Sequence, residues 1–306
     1  MKIGIPKGLL YCRYHNFIET FFLELGAEIV TSEDTNKKIL DEGVKCCIDE
    51  ACLPIKVFHG HVSSIKNECD AIFIPRIMQL YDKEYICPKF CGLPEMIKND
   101  IPNMPQISSY PIYAWDHKAM YKWAKNTGNL ITRNNIKIDK ALKSALTVQK
   151  NSSYRFNDKK YPYTIALVGH PYNIYDSFVN MNLIKKLNEL NIGVITENDV
   201  DSSNINLQIK NLYKRPFWTF TRNSFGFSTF LAKQNKVNGI IYISSFGCGT
   251  DSITVELIKY EIKDLPFLLL KIDEQTGEAG LNTRIEAFKD MLERRIKIES
   301  YFPSYG

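Results

Sequence analysis

Short β-prone runs of apolar residues alternate with stretches of helical periodicity along the whole chain, and this alternation restricts the possible folds more than any other feature. The first run, residues 2–5, ends at Pro6 and is followed by apolar residues at helical spacing that stop at Gly26. Helical patterns also separate the later runs, which lie at residues 28–31, 71–75, 105–109, 163–168, 193–196, 239–243 and 266–272. Strands that alternate with helices predict parallel sheets covered by helices.

A polar stretch near the middle of the chain predicts two domains. The chain has 306 residues, which is long enough for two domains of about 150 residues each. The pattern between residues 114 and 150 is helical and increasingly polar, and residues 151–160 have no apolar periodicity. We therefore expect an N-terminal α/β domain over residues 1–150 and a C-terminal α/β domain over residues 160–306, each with a doubly wound parallel sheet.

Two cysteines stand at predicted entrances to helices in the N-terminal half. Cys52 lies two residues before Pro54 and an apolar run, and Cys87 lies directly before Pro88. Proline is tolerated in the first turn of a helix, where its missing N–H would have no partner. The unpaired amides and the positive end of the helix dipole stabilise a thiolate there, and a thiolate can act as a nucleophile or as a metal ligand.

A third cysteine, Cys248, follows a predicted strand and has a glycine on either side, at Gly247 and Gly249. Glycine lets backbone amides approach a ligand closely, which a bulky cluster with hydrogen-bond-accepting sulfides would need. Ligands of parallel sheets bind beyond the carboxyl ends of the strands, where Cys248 is expected. We expect Gly247 and Gly249 to line a cofactor site, and three thiols from strand-to-helix turns could converge there as metal ligands: Cys52, Cys87 and Cys248.

The other cysteines have simpler interpretations. We expect four of them, in or beside predicted helices, to be packing residues: Cys12, Cys46, Cys47 and Cys69. Cys91 forms a C-x-x-x-C pair with Cys87, which leaves a thiol oxidoreductase open as one function. A non-catalytic metal-binding or scaffold module is a second alternative that the residues leave open.

Composition and charge exclude several classes of function. Apolar residues make up 44% of the chain and charged residues 24%, which is typical of a globular protein. The net charge of +5 comes from scattered basic residues, so a nucleic-acid partner is not expected. No apolar run reaches the roughly 18 residues of a membrane span, and Pro6 interrupts any signal-peptide core. We expect a cytoplasmic protein without a membrane partner.

Seven stretches spread over nearly the whole chain carry a family resemblance. They read I-G-I-P-K-G-L-L-Y, D-E-A-C-L-P-I-K-V-F-H-G-H, F-I-P-R-I, Y-I-C-P-K-F, G-H-P-Y-N-I-Y-D, F-G-C-G-T-D-S and T-G-E-A-G-L-N-T-R-I-E-A-F. Together they resemble the CoA-enzyme-activase-associated family. That family is similar to the iron–sulfur component of 2-hydroxyacyl-CoA dehydratases and to double-cubane-cluster reductases.

The resemblance implies two Rossmann-like domains with an iron–sulfur cluster in the cleft between them, ligated by Cys52, Cys87 and Cys248. The cluster would be of the 4Fe-4S type or a larger double-cubane type. Electrons would come from a separate ATP-hydrolysing activase and would reduce or activate a small-molecule substrate, as in an ATP-dependent reductase or a dehydratase-like component, with a homodimer as one arrangement. The chain contains no G-x-x-x-x-G-K-S/T phosphate loop of its own.

Overall fold

The computed structural model describes residues 1–152, 161–210 and 212–301, the last six of them as backbone only. The chain divides into two compact units, the first formed by Met1–Tyr154 with Pro216–Thr219 and the second by Arg155–Arg215 with Phe220–Gly306. No helix within the described ranges is both long enough and apolar enough to cross a membrane.

The first unit is built around a four-stranded parallel sheet. In chain order its elements are β1 (Lys2–Ile5), α1 (Tyr11–Glu24), β2 (Glu28–Thr31), α2 (Lys37–Cys46), α3 (Leu53–Ile65), β3 (Ala71–Phe73), β4 (Arg76–Gln79), α4 (Pro88–Cys91), α5 (Leu93–Asp100), β5 (Gln106–Ser108), β6 (Pro111–Tyr113), α6 (His117–Gly128) and α7 (Asn135–Asn151). The order of the sheet is β2-β1-β3-β5, and β4 and β6 form a separate two-stranded parallel sheet.

Helices cover both faces of this sheet. On one face Phe73 packs with residues of α1, α6 and α7 around Trp123, whose ring centroid lies 4.9 Å from that of Phe21. On the other face a Cβ at Gly4 would press against Ile65 of α3, so this helix lies directly on β1. A parallel sheet buried on both faces requires continuously apolar strands, which explains the short apolar runs in the sequence.

The second unit has a four-stranded parallel sheet with an equivalent order. Its elements are β7 (Tyr163–Gly169), α8 (Pro171–Ile174), α9 (Leu183–Glu189), β8 (Ile192–Ile195), a 3₁₀ helix (Glu197–Asp199), α10 (Ser202–Ile209), α11 (Thr219–Lys233), β9 (Gly239–Ser245), α12 (Gly249–Ile262), β10 (Phe267–Ile272) and α13 (Glu278–Tyr301). The sheet order is β10-β9-β7-β8. In each sheet the first strand along the chain lies between the second and the third. The predicted mixed α/β class with parallel sheets is confirmed.

One predicted helix differs from the structure. The apolar spacing after β7 favours a helix from residue 175 to 190, but the chain forms the short α8, then a loop, and only then α9. Asp176 Oδ1 accepts the backbone N–H groups of Phe178 and Val179 at 3.0 Å, which offers the backbone an alternative to helical bonds. Met181 and Asn182 then adopt left-handed φ angles of 54° and 56°, which no α-helix accommodates.

Candidate functional site

Cys52, Cys87 and Cys248 each occupy the N-cap position of a helix, at α3, α4 and α12 respectively. The Cys52 and Cys248 side chains make no capping hydrogen bond to their helices, whereas the Cys87 sulfur accepts a hydrogen bond from the backbone N–H of Lys89 in α4. All three residues are partly exposed. These positions are the helix entrances that the sequence predicts, while the role of the three residues as metal ligands stays a prediction.

The thiols of Cys52 and Cys87 lie close enough to interact within the first unit. Burial raises the pKa of Cys87, a hydrogen bond from the backbone N–H of Lys89 opposes this, and the neighbouring Cys52 and Cys91 raise the pKa further. Two thiolates held side by side repel each other, and a shared cation removes that repulsion. Cys52 and Cys87 therefore lie close enough in the first unit for their charges to interact.

The loop that carries Cys87 is held by backbone pairing with the segment Pro216–Thr219. The backbone N–H of Tyr85 donates to the carbonyl oxygen of Phe217 at 2.9 Å, and the N–H of Thr219 donates to the carbonyl oxygen of Tyr85 at 2.9 Å. The rings of Tyr85 and Phe217 stack with their centroids 4.7 Å apart. These contacts fix the backbone two residues before Cys87.

In the second unit Cys248 lies three residues beyond the carboxyl end of β9. Its backbone N–H donates to the carbonyl oxygen of Ser245 at 3.1 Å, and its Sγ lies 3.3 Å from Thr250 Oγ1. Gly247 has a φ of +74°, which most other residues would adopt only at a cost. Among the described residues, nothing lies within 4 Å of a Cβ built at Gly247 or Gly249. The backbone around Cys248 is therefore open on both sides.

A buried polar network behind Cys248 is absent from the sequence-based prediction. His170 Nε2 lies 3.1 Å from Asp251 Oδ1, and the hydroxyl groups of Tyr242 and Ser244 donate to the Asp251 carboxylate, each at 2.7 Å. The ligand atoms of His170, Asp251 and Cys248 all lie within 4.8 Å of one another. His170 directly follows β7 and Cys248 follows the neighbouring β9. Two chemically reactive residues after neighbouring parallel strands are the signal that could have identified this site.

The network holds Asp251 in its ionised form. Burial alone raises the pKa of this carboxyl group, but the charge of His170 and the hydrogen bonds from His170, Ser244 and Tyr242 outweigh burial and lower it below the ordinary value. The other ring nitrogen of His170, Nδ1, lies 2.6 Å from the hydroxyl group of Tyr172. The two ring nitrogens of His170 therefore face Asp251 and Tyr172.

Each unit also contains a cavity at the carboxyl end of its sheet. The cavity in the second unit has a volume of about 170 Å³ and is lined by Cys248, Asp251 and Lys271, among others. The cavity in the first unit has a volume of about 190 Å³ and an apolar wall that includes Pro6 and Pro75, which follow β1 and β3. Both cavities thus lie where parallel sheets bind ligands.

Two protein-family models match the chain and show which family it belongs to. Residues 2–200 match the family described as the CoA enzyme activase uncharacterised domain. The chain belongs to this family. Residues 149–292 match a second family, the D-component of 2-hydroxyglutaryl-CoA dehydratase. The two matches confirm the resemblance that the sequence motifs indicate. A comparison with curated proteins gives no match.

The two family matches divide the three helix-capping cysteines between them. Cys52 and Cys87 lie within the part of the chain that matches the activase uncharacterised domain. Cys248 and His170 lie within the part that matches the dehydratase D-component, although His170 also falls in the overlap of the two matches. The three helix-capping cysteines are therefore distributed over both matched regions.

Proposed function

We propose that this member of the activase uncharacterised-domain family is an iron–sulfur redox protein that takes low-potential electrons from a separate ATP-hydrolysing activase. It uses these electrons to reduce or activate a small substrate. In this proposal Cys52, Cys87 and Cys248 hold the cluster. The observation that supports this proposal is that all three cysteines stand at helix N-cap positions as partly exposed residues.

The donor set fits such a cluster chemically. Iron–sulfur clusters are bound by cysteine thiolates. Thiolates are soft ligands, and they bind such clusters in preference to hard cations such as Mg²⁺ or Ca²⁺. Cys52 and Cys87 already lie near each other in the first unit, and the open backbone at Gly247 and Gly249 leaves room for a bulky group beside Cys248. When bound, the cluster supplies one-electron transfer, and with three protein ligands it keeps one iron of four open to substrate.

The residues behind Cys248 position it for this role. Asp251 lies in the first turn of α12, and its carboxylate is bound by Tyr242 and Ser244 of β9 and by His170 after β7. These contacts tie the N-terminus of α12 to two neighbouring strands, so the Cys248 backbone has little freedom to move. A small substrate would bind in the cavity of about 170 Å³ beside Cys248, which offers serine hydroxyl groups and Lys271 as polar partners.

Anaerobic purification followed by metal analysis tests the proposal. We expect a brown protein that contains iron and acid-labile sulfide in equal amounts. Cys52→Ala, Cys87→Ala and Cys248→Ala should each lose the iron or change the absorption and electron paramagnetic resonance spectra of the cluster, because each removes one ligand.

Two cysteines that lie outside the proposed site provide matched controls. Cys12 and Cys69 bond through their thiols to backbone carbonyl groups of Leu9 and Ile65, at 3.5 Å and 3.3 Å. Cys12→Ser and Cys69→Ser should therefore keep the full iron content. A colourless wild-type protein, or full iron retention in Cys248→Ala, contradicts the assignment.

A further inference from the structure

A second group of potential metal ligands lies buried in the first unit and shares no residue with the three helix-capping cysteines. Cys47 follows α2, His59 lies in the middle of α3, and Asp100 is the last residue of α5. His59 is fully buried, the exposed fraction of Cys47 is 8%, and the Asp100 side chain is 23% exposed. The ligand atoms of the three residues all lie within 4.8 Å of one another.

The two ring nitrogens of His59 both face hydrogen-bond acceptors. Nδ1 lies 2.8 Å from the carbonyl oxygen of Ile55, and Nε2 lies 3.0 Å from Asp100 Oδ2. A carbonyl oxygen can only accept, so Nδ1 carries a proton, and a neutral imidazole then has a lone pair at Nε2. That lone pair points at a carboxylate oxygen. Either a proton or a metal cation must therefore lie between His59 and Asp100.

The arrangement of His59 matches that of metal-binding histidines. Such histidines usually donate one ring N–H to a backbone carbonyl group, which fixes the tautomer and directs the other nitrogen at the metal. Ile55 provides this carbonyl group one helical turn before His59. The ring of His59 is fully buried and is bonded through both nitrogens, so its Nε2 is directed at Asp100 Oδ2.

The sulfur of Cys47 completes the group. Burial raises the pKa of Cys47 to about 11, and the charge of Asp100 raises it as well, whereas a hydrogen bond from the backbone N–H of Ile48 opposes the shift. Without a metal the thiol is therefore protonated at neutral pH. The amide bond to sulfur and the nearby positive charges of Lys56 and Lys89 favour the thiolate once a cation is present.

We propose that Cys47 Sγ, His59 Nε2 and Asp100 Oδ2 bind one divalent ion of the zinc class. Thiolate, imidazole and carboxylate are the ligands that zinc takes in proteins, and tetrahedral zinc with bonds of about 2.0–2.3 Å spaces its ligands roughly 3.5 Å apart. One thiolate and one carboxylate also neutralise a divalent charge, so the occupied site is uncharged and suits burial. The ion would link the end of α2, the middle of α3 and the end of α5.

Proton release provides a direct test in the unmodified protein. Zinc must displace the thiol proton of Cys47 and the proton between His59 and Asp100, so about two protons should leave for each ion bound. Titration calorimetry of the anaerobically purified full chain with zinc, in buffers of different ionisation enthalpy, measures this number. Affinity should also increase with pH across the neutral range, because the Cys47 thiol proton competes with the metal.

Neighbouring cysteines supply a matched pair of variants. Cys47→Ser should lose this ion, seen as lower zinc content and as loss of the thiolate-to-cobalt absorption after cobalt substitution. Cys46→Ser, which changes the partly exposed neighbour, should retain both. Asp100→Asn, at the least buried ligand, should weaken zinc binding without unfolding the protein, since the amide keeps the shape of the side chain.

Two results would overturn the proposal. If the wild-type chain takes up the same amount of zinc as Cys47→Ser, the group is only an imidazolium–carboxylate pair beside a buried thiol. If zinc binding releases no protons, the ion lies elsewhere. Neither result bears on the iron–sulfur proposal, because iron content is read separately in the Cys52, Cys87 and Cys248 variants.

Discussion

His61 is a buried histidine whose protonation is coupled to folding. Its ring nitrogens lie 2.8 Å from Ser32 Oγ and 3.0 Å from Thr35 Oγ1. Burial, followed by the positive charge of Lys7, lowers the pKa of His61 to about 4, although Asp34 acts in the opposite direction. The folded protein therefore keeps this ring neutral under conditions in which an exposed histidine is charged.

The low pKa of His61 predicts a pH dependence of stability. In the unfolded chain the residue titrates near its ordinary pKa of 6.5, whereas in the folded protein it titrates at about 4. The stability that depends on the neutral ring is complete above pH 6.5 and is lost as the pH falls toward 4, by about 3 kcal/mol in total. Urea denaturation at a series of pH values measures this decline.

The variant His61→Gln isolates the contribution of the ring. Glutamine cannot be protonated in this range but can still hydrogen-bond to Ser32 and Thr35. The stability of His61→Gln should therefore decrease less than that of the wild type between pH 6.5 and pH 4. Parallel curves for the two proteins would show that His61 is not the titrating group.

At the scale of secondary structure, α2 and α3 cross in close contact. A Cβ at Gly43 would overlap the backbone carbonyl oxygen of Lys56, and a Cβ at Gly60 would overlap that of Ile39. The two helix backbones therefore touch at this point, which only glycine permits. The crossing sets the position of α3, which carries Cys52 at its N-terminus and His59 near its middle.

Gly60→Ala should destabilise the protein by about 3 kcal/mol, because backbone atoms rather than flexible side chains would have to move. Gly92→Ala is the matched control, since within the described part of the chain nothing lies within 4 Å of a Cβ at that position. We expect the control to change stability by no more than about 0.5 kcal/mol. Thermal or urea denaturation of both variants measures the difference, and equal stabilities would contradict the close crossing of α2 and α3.

At the scale of the whole molecule, the two units repeat one arrangement of strands. In each sheet the strand order reverses beside the first strand, which is where parallel sheets form ligand crevices. His170 and Cys248 lie beyond β7 and β9 at this point of the second sheet. The buried polar network around Asp251 thus occurs where the topology itself creates a crevice.

We also predict that a partner protein, an ATP-hydrolysing activase, delivers electrons to the cluster. Because the sequence contains no phosphate loop, we expect the purified chain alone to hydrolyse no ATP. An activase with ATP and an electron donor should reduce the bound cluster, as measured by bleaching of its visible absorption, whereas the same mixture with a non-hydrolysable ATP analogue should not.

Chemical reduction provides the control for this experiment. Dithionite should reduce the cluster without an activase, which shows that the cluster is intact. If dithionite succeeds and an activase with ATP fails, the proposed partner is wrong. ATP hydrolysis by the chain alone would contradict the expectation drawn from the sequence.

Local patterns predicted much of the fold because their causes are local. The short apolar runs became β1, β2, β3, β5 and the four strands of the second sheet. The central strands β1, β3, β7 and β9 are mostly buried, and a parallel strand buried on both faces needs consecutive apolar residues. Proline and glycine marked the helix entrances at Cys52, Cys87 and Cys248. The helix expected from residue 175 to 190 was wrong because the side chain of Asp176 competes for backbone N–H groups, which apolar spacing does not reveal.

The sequence by itself determined the α/β class, the parallel sheets and the helix-capping positions of three cysteines, because these depend on short-range periodicity and on the chemistry of single residues. The grouping of His170 with Asp251 and of Cys47 with His59 and Asp100 was decided by the tertiary structure alone. The members of each group come from different segments of the chain. His170 and Asp251 are 81 residues apart, and His59 and Asp100 are 41 residues apart. Such contacts form only when sheet order and helix packing bring distant segments together, so no local pattern encodes them.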